Sequence, residues 1–450
     1  MVWLQLLVVL GCLIMGTRYG GLGLGLISGF GLIILVFGFH LRPGDPPIDV
    51  MMTILAVIGC ASVLQQAGGL DVMMKFAEKI LRKHPNQITV LAPLTTWFLT
   101  LLCGTGHVVY TMFPIIEDIA LKKGIRPERP MAVSSVAAQA GITASPVSVA
   151  TVTLASLLAA HAQEAGTKVY SIPQILMVSI PATFCGVLIA ALWSIKRGKD
   201  LDKDPDFQAR IADPEQRDFI YSGGSTLLDT VFPKTAYWAT WIFFATIALV
   251  VVMGAFDGLR PSFANDKGVM KPLSMNLVIQ MLMLVAGALI MLFCKVKTSD
   301  VPNTTVFKAG MVAIFSVFGV AWMAETFFGA HIEGLEANLT TMVQNHAWTY
   351  AIALFLVSKL VNSQGAAVAA MAPIGLKIGV DPVTMIGFVS AAYGYFILPT
   401  YPSDLACIGF DRTGTTKIGK FVINHSFIIP GLIIVSVGCL VGSLMARVVL

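Results

Sequence analysis

The chain has 450 residues, of which 56% are hydrophobic and only 12% are charged, and its formal net charge is +5. A mean hydropathy of +0.80 exceeds what a soluble core needs, so the composition excludes a soluble enzyme and indicates an all-α polytopic protein embedded in the lipid bilayer. The positive charge does not indicate an acidic partner, because the basic residues sort by side of the membrane, and we expect no nucleic-acid partner.

Six segments, taken in chain order, carry no Asp, Glu, Lys or Arg. They are Val2–Gly16, Tyr19–Phe39, Val50–Leu70, Gln174–Ser194, Thr235–Ala255 and Pro272–Cys294. Each approaches the roughly 20 residues that a helix needs to cross the hydrocarbon layer. The first segment lacks a charged n-region and a cleavage site, so we expect it to stay as a span. The cysteines lie in apolar segments without a C-x-x-C pair, which favours packing, and we expect no metal and no cofactor.

The hydrophilic segment 196–234 carries seven Lys and Arg residues, and the positive-inside tendency places it in the cytoplasm. It separates an N-terminal transmembrane half, 1–195, from a C-terminal transmembrane half, 235–450. Alternation along the chain then puts 22 of the 30 basic residues inside and seven outside, with Lys359 alone in the membrane. Both termini are accordingly predicted to be periplasmic.

This assignment holds only if segments 87–116 and 348–376 each enter and leave the membrane on the same side. Both are therefore predicted to be re-entrant helical hairpins, with tips near Gly104–His107 and Asn362–Gly365. Polar, non-helical tips are tolerated at that depth only where they are buried in protein or line a cavity.

An internal repeat relates residues 50–160 to residues 309–420. Each copy predicts a span, an amphipathic helix (71–83 or 331–344), a hairpin and a broken transmembrane helix. Matching strings occur in the same order: Ala56-Val-Ile-Gly and Ser316-Val-Phe-Gly, Met112-Phe-Pro-Ile and Met371-Ala-Pro-Ile, Gly124-Ile-Arg-Pro and Gly379-Val-Asp-Pro, and Ala144-Ser-Pro-Val-Ser and Thr400-Tyr-Pro-Ser-Asp. The first amphipathic helix carries four Lys and Arg residues and the second carries none, which predicts an inverted repeat.

Inverted repeats with two hairpins and two broken helices are typical of secondary transporters, which hold the substrate at the repeat interface near the midplane. The sequence contains no Walker motif, so it does not indicate a nucleotide-driven pump. Helix ends at the breaks offer free N–H groups and a positive dipole end, so they can hold carboxylates without a full buried cation. Two facing tips suit an anion charged at both ends, and a short dicarboxylate is the predicted substrate.

The candidate substrate-binding residues occupy the two tips and the two helix breaks. They are Thr105, Gly106, His107, Ser145, Pro146, Ser148, Asn362, Ser363, Gln364, Thr400, Ser403 and Asp404. For any single Ser or Thr, a hydrogen bond between packed helices is the alternative. His107 is either a proton carrier or a donor at a helix end. Placing the charged side chains of Lys359 and Asp404 inside a bilayer costs free energy, so both are functional candidates unless they simply pair with each other.

Three charged residues outside these clusters allow two interpretations. Glu78 and Arg82 lie four apart on the first amphipathic helix, where a solvated surface pair is the simplest explanation. Arg126 either attracts dianions to the cytoplasmic mouth or follows the positive-inside tendency. No catalytic pattern surrounds His107 or Asp404, so an enzyme is not indicated and no catalytic residue is proposed.

Several longer strings resemble one family. They are His40-Leu-Arg-Pro-Gly-Asp-Pro-Pro, Gly68-Gly-Leu-Asp-Val-Met, Cys103-Gly-Thr-Gly-His-Val-Val-Tyr-Thr, Ile125-Arg-Pro-Glu-Arg-Pro-Met-Ala, Val361-Asn-Ser-Gln and Ile397-Leu-Pro-Thr-Tyr-Pro-Ser-Asp-Leu-Ala. Together they closely resemble the anaerobic C4-dicarboxylate (Dcu) transporter family, most of all its B-type members. The resemblance runs from about the first span to the C-terminus.

The resemblance implies a bacterial inner-membrane antiporter that takes up fumarate, malate or aspartate and exports succinate in anaerobic respiration. It also implies membership of the ion-transporter superfamily of divalent-anion carriers, whose homodimers move substrate by an elevator-type motion. In the family, positions matching Glu78, Arg82 and Arg126 are associated with transport. B-type members restrain a sensor histidine kinase through positions matching Lys359, Thr400 and Asp404. A dicarboxylate channel or uniporter and a transporter-like co-sensor for such a kinase are the alternatives.

Overall fold

The computed structural model describes residues 1–19, 22–221, 226–264, 270–398, 401–419 and 424–450. The first half contains α1 (Val2–Tyr19), α2 (Gly23–Ile33), α3 (Ile48–Gln66), α4 (Gly69–Lys83), α5 (Ile88–Cys103), α6 (Val109–Lys122), α7 (Glu128–Ala140), α8 (Val149–Ala165) and α9 (Ile172–Ser194). The middle contains α10 (Pro205–Ile211), α11 (Pro214–Tyr221), α12 (Lys234–Ala255), β1 (Ser262–Ala264) and β2 (Met270–Pro272). The remainder contains α13 (Met275–Cys294), α14 (Thr305–Asn345), α15 (Trp348–Val361), α16 (Gln364–Lys377), α17 (Pro382–Gly387), α18 (Pro402–Phe410) and α19 (Ile428–Val449).

Apolar helices dominate the described ranges. Seven of these helical stretches are long and apolar enough to cross a membrane, and the bent pair of α3 and α4 would add an eighth. Strands within the described ranges are confined to β1 and β2, an antiparallel pair in which Phe263 lies opposite Lys271. The chain is therefore an all-α polytopic membrane protein, which confirms the fold class expected from composition.

The first repeat begins with a bend of 69° between α3 and α4. Gly68, with φ +78°, adopts the left-handed conformation that ends one helix and starts the next. α4 is the amphipathic helix predicted over 71–83, and it buries Leu70, Met74 and Leu81, which share one face at helical spacing. The local sequence thus explains both the bend and the buried face.

The second repeat differs at the matching point. A separate amphipathic helix was expected over 331–344, but α14 continues without interruption to Asn345. The backbone there has no left-handed glycine comparable to Gly68, and Gly329 lies inside the helix. The side chains of 332–345 lie outside the described part of the structure. The bend therefore belongs to the first repeat alone.

Both repeats then contain a pair of helices joined at a non-helical tip and a helix interrupted in its middle. The pairs are α5 with α6 and α15 with α16, and the interrupted helices are α7 with α8 and α17 with α18. α16 packs against both α8 and α14, while α3 packs against α13, α14 and α8. α9 and α19 form a further extensive contact between the two halves of the chain. The hairpins and broken helices are thus surrounded by the longer helices.

The hydrophilic segment predicted to be a cytoplasmic loop is folded over much of its length. α10 and α11 bring Phe207 and Ile220 onto Leu201 and onto Leu121 of α6, which makes a small separate apolar core. The backbone N–H of Leu201 also donates to the carbonyl of Gly124 at 3.0 Å. This segment, called the cap (196–221) below, is therefore anchored to the end of the first hairpin.

Candidate functional site

The first hairpin tip lies between α5 and α6. α5 ends at Cys103 because Gly104 takes a left-handed conformation, with φ +72°. Thr105 is extended, and its Oγ1 accepts a hydrogen bond from the backbone N–H of His107 at 3.4 Å and lies 3.2 Å from His107 Nδ1. Gly106 starts the short turn that leads into α6. The three predicted tip residues thus form one compact turn at the start of α6.

The second hairpin tip lies between α15 and α16 and has the same design. α15 ends at Val361, and Asn362 is left-handed, with φ +49°, a conformation that Asn tolerates better than most residues. Ser363 caps α16, because its Oγ accepts a hydrogen bond from the backbone N–H of Ala366 at 3.3 Å. Gln364 is the first residue of α16 and is buried.

The first helix break lies between α7 and α8. α7 ends at Ala140, a short 3-10 turn follows, and Ser145 is extended. Ser148 caps α8, because its Oγ accepts a hydrogen bond from the backbone N–H of Thr151 at 3.2 Å. Pro146, between the two serines, has no N–H to satisfy. Both serine side chains are fully buried.

The second helix break lies between α17 and α18 and is longer. Two 3-10 turns, Val389–Ala392 and Tyr395–Ile397, follow α17. α18 begins with a proline, and Ser403 and Asp404 lie buried in its first turn. Thr400, a predicted site residue, lies outside the described residues.

Both hairpin tips pack against the first break. A Cβ placed on Gly104 would lie 2.9 Å from the carbonyl oxygen of Val147. A Cβ placed on Gly365, at the second tip, would lie 2.5 Å from the side chain of Val149. Only a glycine allows such close approach, so each tip is fitted to the non-helical segment between α7 and α8.

The second break packs against α7. Ser135 Oγ donates a hydrogen bond to Asp404 Oδ1 at 2.7 Å, and Gln139 Nε2 donates towards Ser403 Oγ at 3.5 Å. The other carboxylate oxygen of Asp404 is buried without a hydrogen-bond partner among the described residues. All four elements predicted to form the site are therefore in contact in one buried cluster.

Gln139 is the residue that sequence reasoning missed. Its Oε1 accepts a hydrogen bond from the phenol of Tyr395 at 2.8 Å, and its backbone carbonyl accepts one from Gln364 Nε2 at 2.8 Å. Gly106 of the first tip also lies beside its amide. The sequence feature that could have identified Gln139 is a lone amide side chain in an apolar helical stretch, two residues before Gly141.

Lys359 and Asp404 were expected either to act in the site or to pair with each other. Lys359 Nζ donates to Asn362 Oδ1 at 3.2 Å and to the carbonyls of Tyr395 and Leu398 at 3.3 and 3.4 Å. Lys359 thus connects the second tip to the second break, while Asp404 is held by Ser135. Both charged residues lie within the cluster.

Glu78 and Arg82 lie in a different place and are not a solvated surface pair. Arg82 Nε donates to Glu78 Oε1 at 2.7 Å, and Arg82 Nη1 donates to Asp118 Oδ2 at 2.9 Å. Glu78 is fully buried, and its other oxygen accepts from the backbone N–H of Leu227 at 2.6 Å. The pair therefore joins α4 to the far end of the first hairpin and to the segment after the cap.

Arg126 also lies away from the tips. Its guanidinium forms ion pairs with Glu128, at 2.8 Å, and with Asp204 of the cap. Glu128 begins α7 and Gln139 lies eleven residues further on, which corresponds to about 16 Å along a helix. Arg126 therefore cannot contact a small anion held at the tips in this conformation.

A cavity with a volume of about 2340 Å³ is lined by parts of α3, α8, α9, α12, α13, α14 and α16. None of the predicted binding residues lines it. It reaches Thr153 and Ala369, which lie one helical turn, or about 6 Å, beyond Val149 and Gly365. The cavity thus approaches the contact between the second tip and the first break.

Membrane-length helices that enclose two capped hairpin tips and two helix breaks define a membrane transporter. The chain belongs to the anaerobic C4-dicarboxylate membrane transporter family, whose model matches residues 1–450. This confirms the family resemblance of the sequence strings.

Individual relatives cover nearly the whole chain. The chain is 53% identical over 443 residues to the anaerobic C4-dicarboxylate transporter DcuB of Escherichia coli O6:H1, with 98% of each chain covered. It is 38% identical over 451 residues to the C4-dicarboxylate transporter DcuA of Wolinella succinogenes, with 99% of each covered. A solved structure of Neisseria gonorrhoeae MtrF, from a class of antimetabolite efflux pumps, has a TM-score of 0.52 at 15% identity, covering 93% of this chain and 85% of that one. That likeness concerns the fold alone.

Proposed function

We propose that the protein exchanges C4-dicarboxylates across the bacterial inner membrane, taking up fumarate, malate or aspartate against succinate. The substrate is held where the two hairpin tips meet the two helix breaks. The observation that carries this proposal is the convergence of all four elements on the end of α7, around Gln139. Family membership supports the substrate class.

The chemistry of the cluster suits a small dianion. The N-terminal ends of α6, α8 and α16 lie at the tips and the first break, and each supplies backbone N–H groups and the positive end of a helix dipole. Lys359 adds one positive charge beside Asn362. Hydroxyls and amides make up most of the remaining polar groups, and they can donate to carboxylate oxygens. Two carboxylates can therefore be bound without two buried cations.

The arrangement of the hairpins supports alternating access. The end of the first hairpin that is remote from its tip lies beside the start of α7, whereas Lys377 at the end of α16 shares a cavity with Glu164 at the end of α8. The two hairpins thus approach the cluster from opposite ends of the same broken helix, as an inverted repeat requires. We infer an elevator-type motion in which hairpins and broken helices move against α3, α13 and α14. Periplasmic termini, a homodimer and a sensor kinase partner stay predictions.

Counterflow in liposomes tests the proposal. Purified protein in vesicles loaded with succinate should accumulate labelled fumarate, and empty vesicles without an ion gradient should show little uptake. Equal uptake into empty vesicles would identify a channel or uniporter, and substrate binding without flux would identify a co-sensor. Ser145→Ala should weaken exchange, while Ser299→Ala, at an exposed serine outside the cluster, should leave it unchanged.

A further inference from the structure

Gln139 contacts the second repeat through several hydrogen bonds. Its side chain is 1% exposed, and each of its two polar atoms has a partner. The partners come from three separate elements of the second repeat: Gln364 begins α16, Tyr395 lies in the turn before α18, and Ser403 lies in α18. No other described residue of the cluster bonds to all three.

The position of Gln139 at the end of α7 explains why it can do this. Carbonyl groups in the last turn of a helix lack the usual α-helical partner. The carbonyl of Gln139 accepts from the backbone N–H of Gly141, and its oxygen also accepts from the amide of Gln364. The Gln364 amide also lies 3.4 Å from the phenol oxygen of Tyr395, whose hydrogen goes to Gln139. The three residues therefore close a ring of hydrogen bonds that we call the Gln139 ring (Gln139, Gln364 and Tyr395).

The Gln139 ring determines where the second tip lies. Gln364 is adjacent to Ser363 and Asn362, so the hydrogen bond to the Gln139 carbonyl fixes the tip against the first break. We propose that Gln139 is a positioning residue for substrate binding, which holds the second hairpin tip closed through Tyr395 and Gln364. This inference rests on the proposed function, because it assigns a role within that same binding site. Gln139 acts through its neighbours, since its backbone carbonyl is bonded to Gln364 and its side-chain oxygen to Tyr395.

The chain provides a matched control for this idea. Tyr393 and Tyr395 are both fully buried and lie two residues apart, with ring centroids 4.8 Å from each other. The Tyr393 hydroxyl has no hydrogen-bond partner in the described structure, whereas the Tyr395 hydroxyl donates to Gln139. Tyr393→Phe and Tyr395→Phe therefore make the same chemical change, but only the second opens the ring.

The experiment measures KM and maximal rate of fumarate counterflow for the parent, Tyr395→Phe, Tyr393→Phe, Gln139→Leu and the Gln139→Leu/Tyr395→Phe double variant. Tyr395→Phe should raise KM about tenfold, with the rate per folded protein within about twofold of the parent. Tyr393→Phe should match the parent. The double variant should be less impaired than the product of the two single effects, because both changes remove the same hydrogen bond.

A merely structural role would reduce the amount of active protein and hence the rate, with KM unchanged, and that result overturns the proposal. Equal KM values for Tyr393→Phe and Tyr395→Phe also overturn it. If Tyr395→Phe does not yield folded protein, Gln139→Leu, which opens the ring at the same bond, decides by the same KM criterion. Failure of the parent to exchange fumarate would instead overturn the proposed function itself.

A second readout follows the tip directly. Val149→Cys places a thiol under Gly365 of the second tip, and its alkylation can be read at that position by mass spectrometry. Combining it with Tyr395→Phe should speed alkylation severalfold, and saturating fumarate should slow it again. Identical alkylation rates with Tyr395→Phe and Tyr393→Phe would show that the ring does not hold the tip.

Discussion

Asp118 and Lys377 occupy the same position in the two hairpins, four residues after the proline of α6 and of α16, and they carry opposite charges. Each pairs with the helix that precedes its own hairpin. Asp118 Oδ2 lies 2.9 Å from Arg82 Nη1 of α4, and Lys377 Nζ lies 2.5 Å from Glu325 Oε1 of α14. Each hairpin is thus tied, at the end remote from its tip, to the helix before it.

The pair at Asp118 predicts a large difference between two cations that bind the same carboxylate. The Arg82 side chain is 24% exposed and bridges two buried carboxylates. Lys122 is 66% exposed, and its ion pair among the described residues is with Asp118, at 2.9 Å. Arg82→Met should lower the free energy of unfolding by about 1–3 kcal/mol, because it leaves two buried acids without their shared partner. Lys122→Met should change it by less than about 0.5 kcal/mol. Thermal unfolding in detergent gives both values, and equal shifts would contradict the assignment.

The hairpin tips and the first break were predictable because they depend on local chemistry. Gly104 and Asn362 end their helices in the left-handed conformation, and Ser148 and Ser363 cap the next ones. Such choices depend on a few neighbouring residues, so they can be recognised in sequence. The candidate residues of both tips consequently lie where they were expected.

The hydrogen bonds between the repeats were not predictable, because they join residues far apart in the chain. Gln139 and Tyr395 are separated by 256 positions, and nothing in either local sequence indicates the other. The pair of Glu78 and Arg82 was recognisable from its spacing, but burial depends on Asp118, 36 residues away from Arg82. Pattern reasoning therefore identified the charged pair and misjudged its surroundings.

Asn362 offers a test of substrate binding that separates the side chain from the backbone. Asn362→Gly removes the amide but permits the left-handed conformation, whereas Asn362→Ala removes the amide and adds strain. Both variants should weaken fumarate binding roughly tenfold to hundredfold, since a hydrogen bond to a charged group is lost. Only Asn362→Ala should also lower the melting temperature. Isothermal titration measures the affinity, and parent-like binding by Asn362→Gly would remove this amide from the site.

The proposed opposite orientation of the repeats predicts the sidedness of two exposed positions. Lys123 follows the first hairpin and Asp381 follows the second, and neither has the positive φ of the nearby glycines Gly124 and Gly379. Lys123→Cys should react with an impermeant maleimide from the cytoplasm, and Asp381→Cys should react from the periplasm. Background labelling should be low, because all seven native cysteines are buried or half-buried in the structure. Reaction of both from one side would exclude an inverted repeat.

Arg126 could either attract substrate or anchor the cap, and variants of Arg126 and of its partner Asp204 distinguish the two roles. Its side chain is 13% exposed and is engaged by Glu128 and by Asp204, which also caps α10 through the backbone N–H of Asp206 at 3.1 Å. If Arg126 anchors the cap, Arg126→Gln and Asp204→Asn should both loosen residues 196–221 and both slow dicarboxylate transport. Hydrogen exchange of the cap and succinate transport from the cytoplasmic face measure these effects.

The two roles of Arg126 predict opposite results for Asp204→Asn. If the guanidinium attracts dianions, the loss of its carboxylate partner would strengthen that attraction. KM for cytoplasmic succinate would then fall, most strongly at low ionic strength. A guanidinium that anchors the cap would lose one of its two ion pairs. The backbone amides of the cap would then undergo faster hydrogen exchange, and KM for cytoplasmic succinate would not fall. Arg126→Lys, which keeps the charge but not the paired geometry of two N–H donors, should behave like Arg126→Gln. Because Arg126 pairs with Glu128, which lies about 16 Å along α7 from Gln139, we expect the anchoring result. A lower KM for Asp204→Asn with unchanged hydrogen exchange of the cap would establish attraction instead.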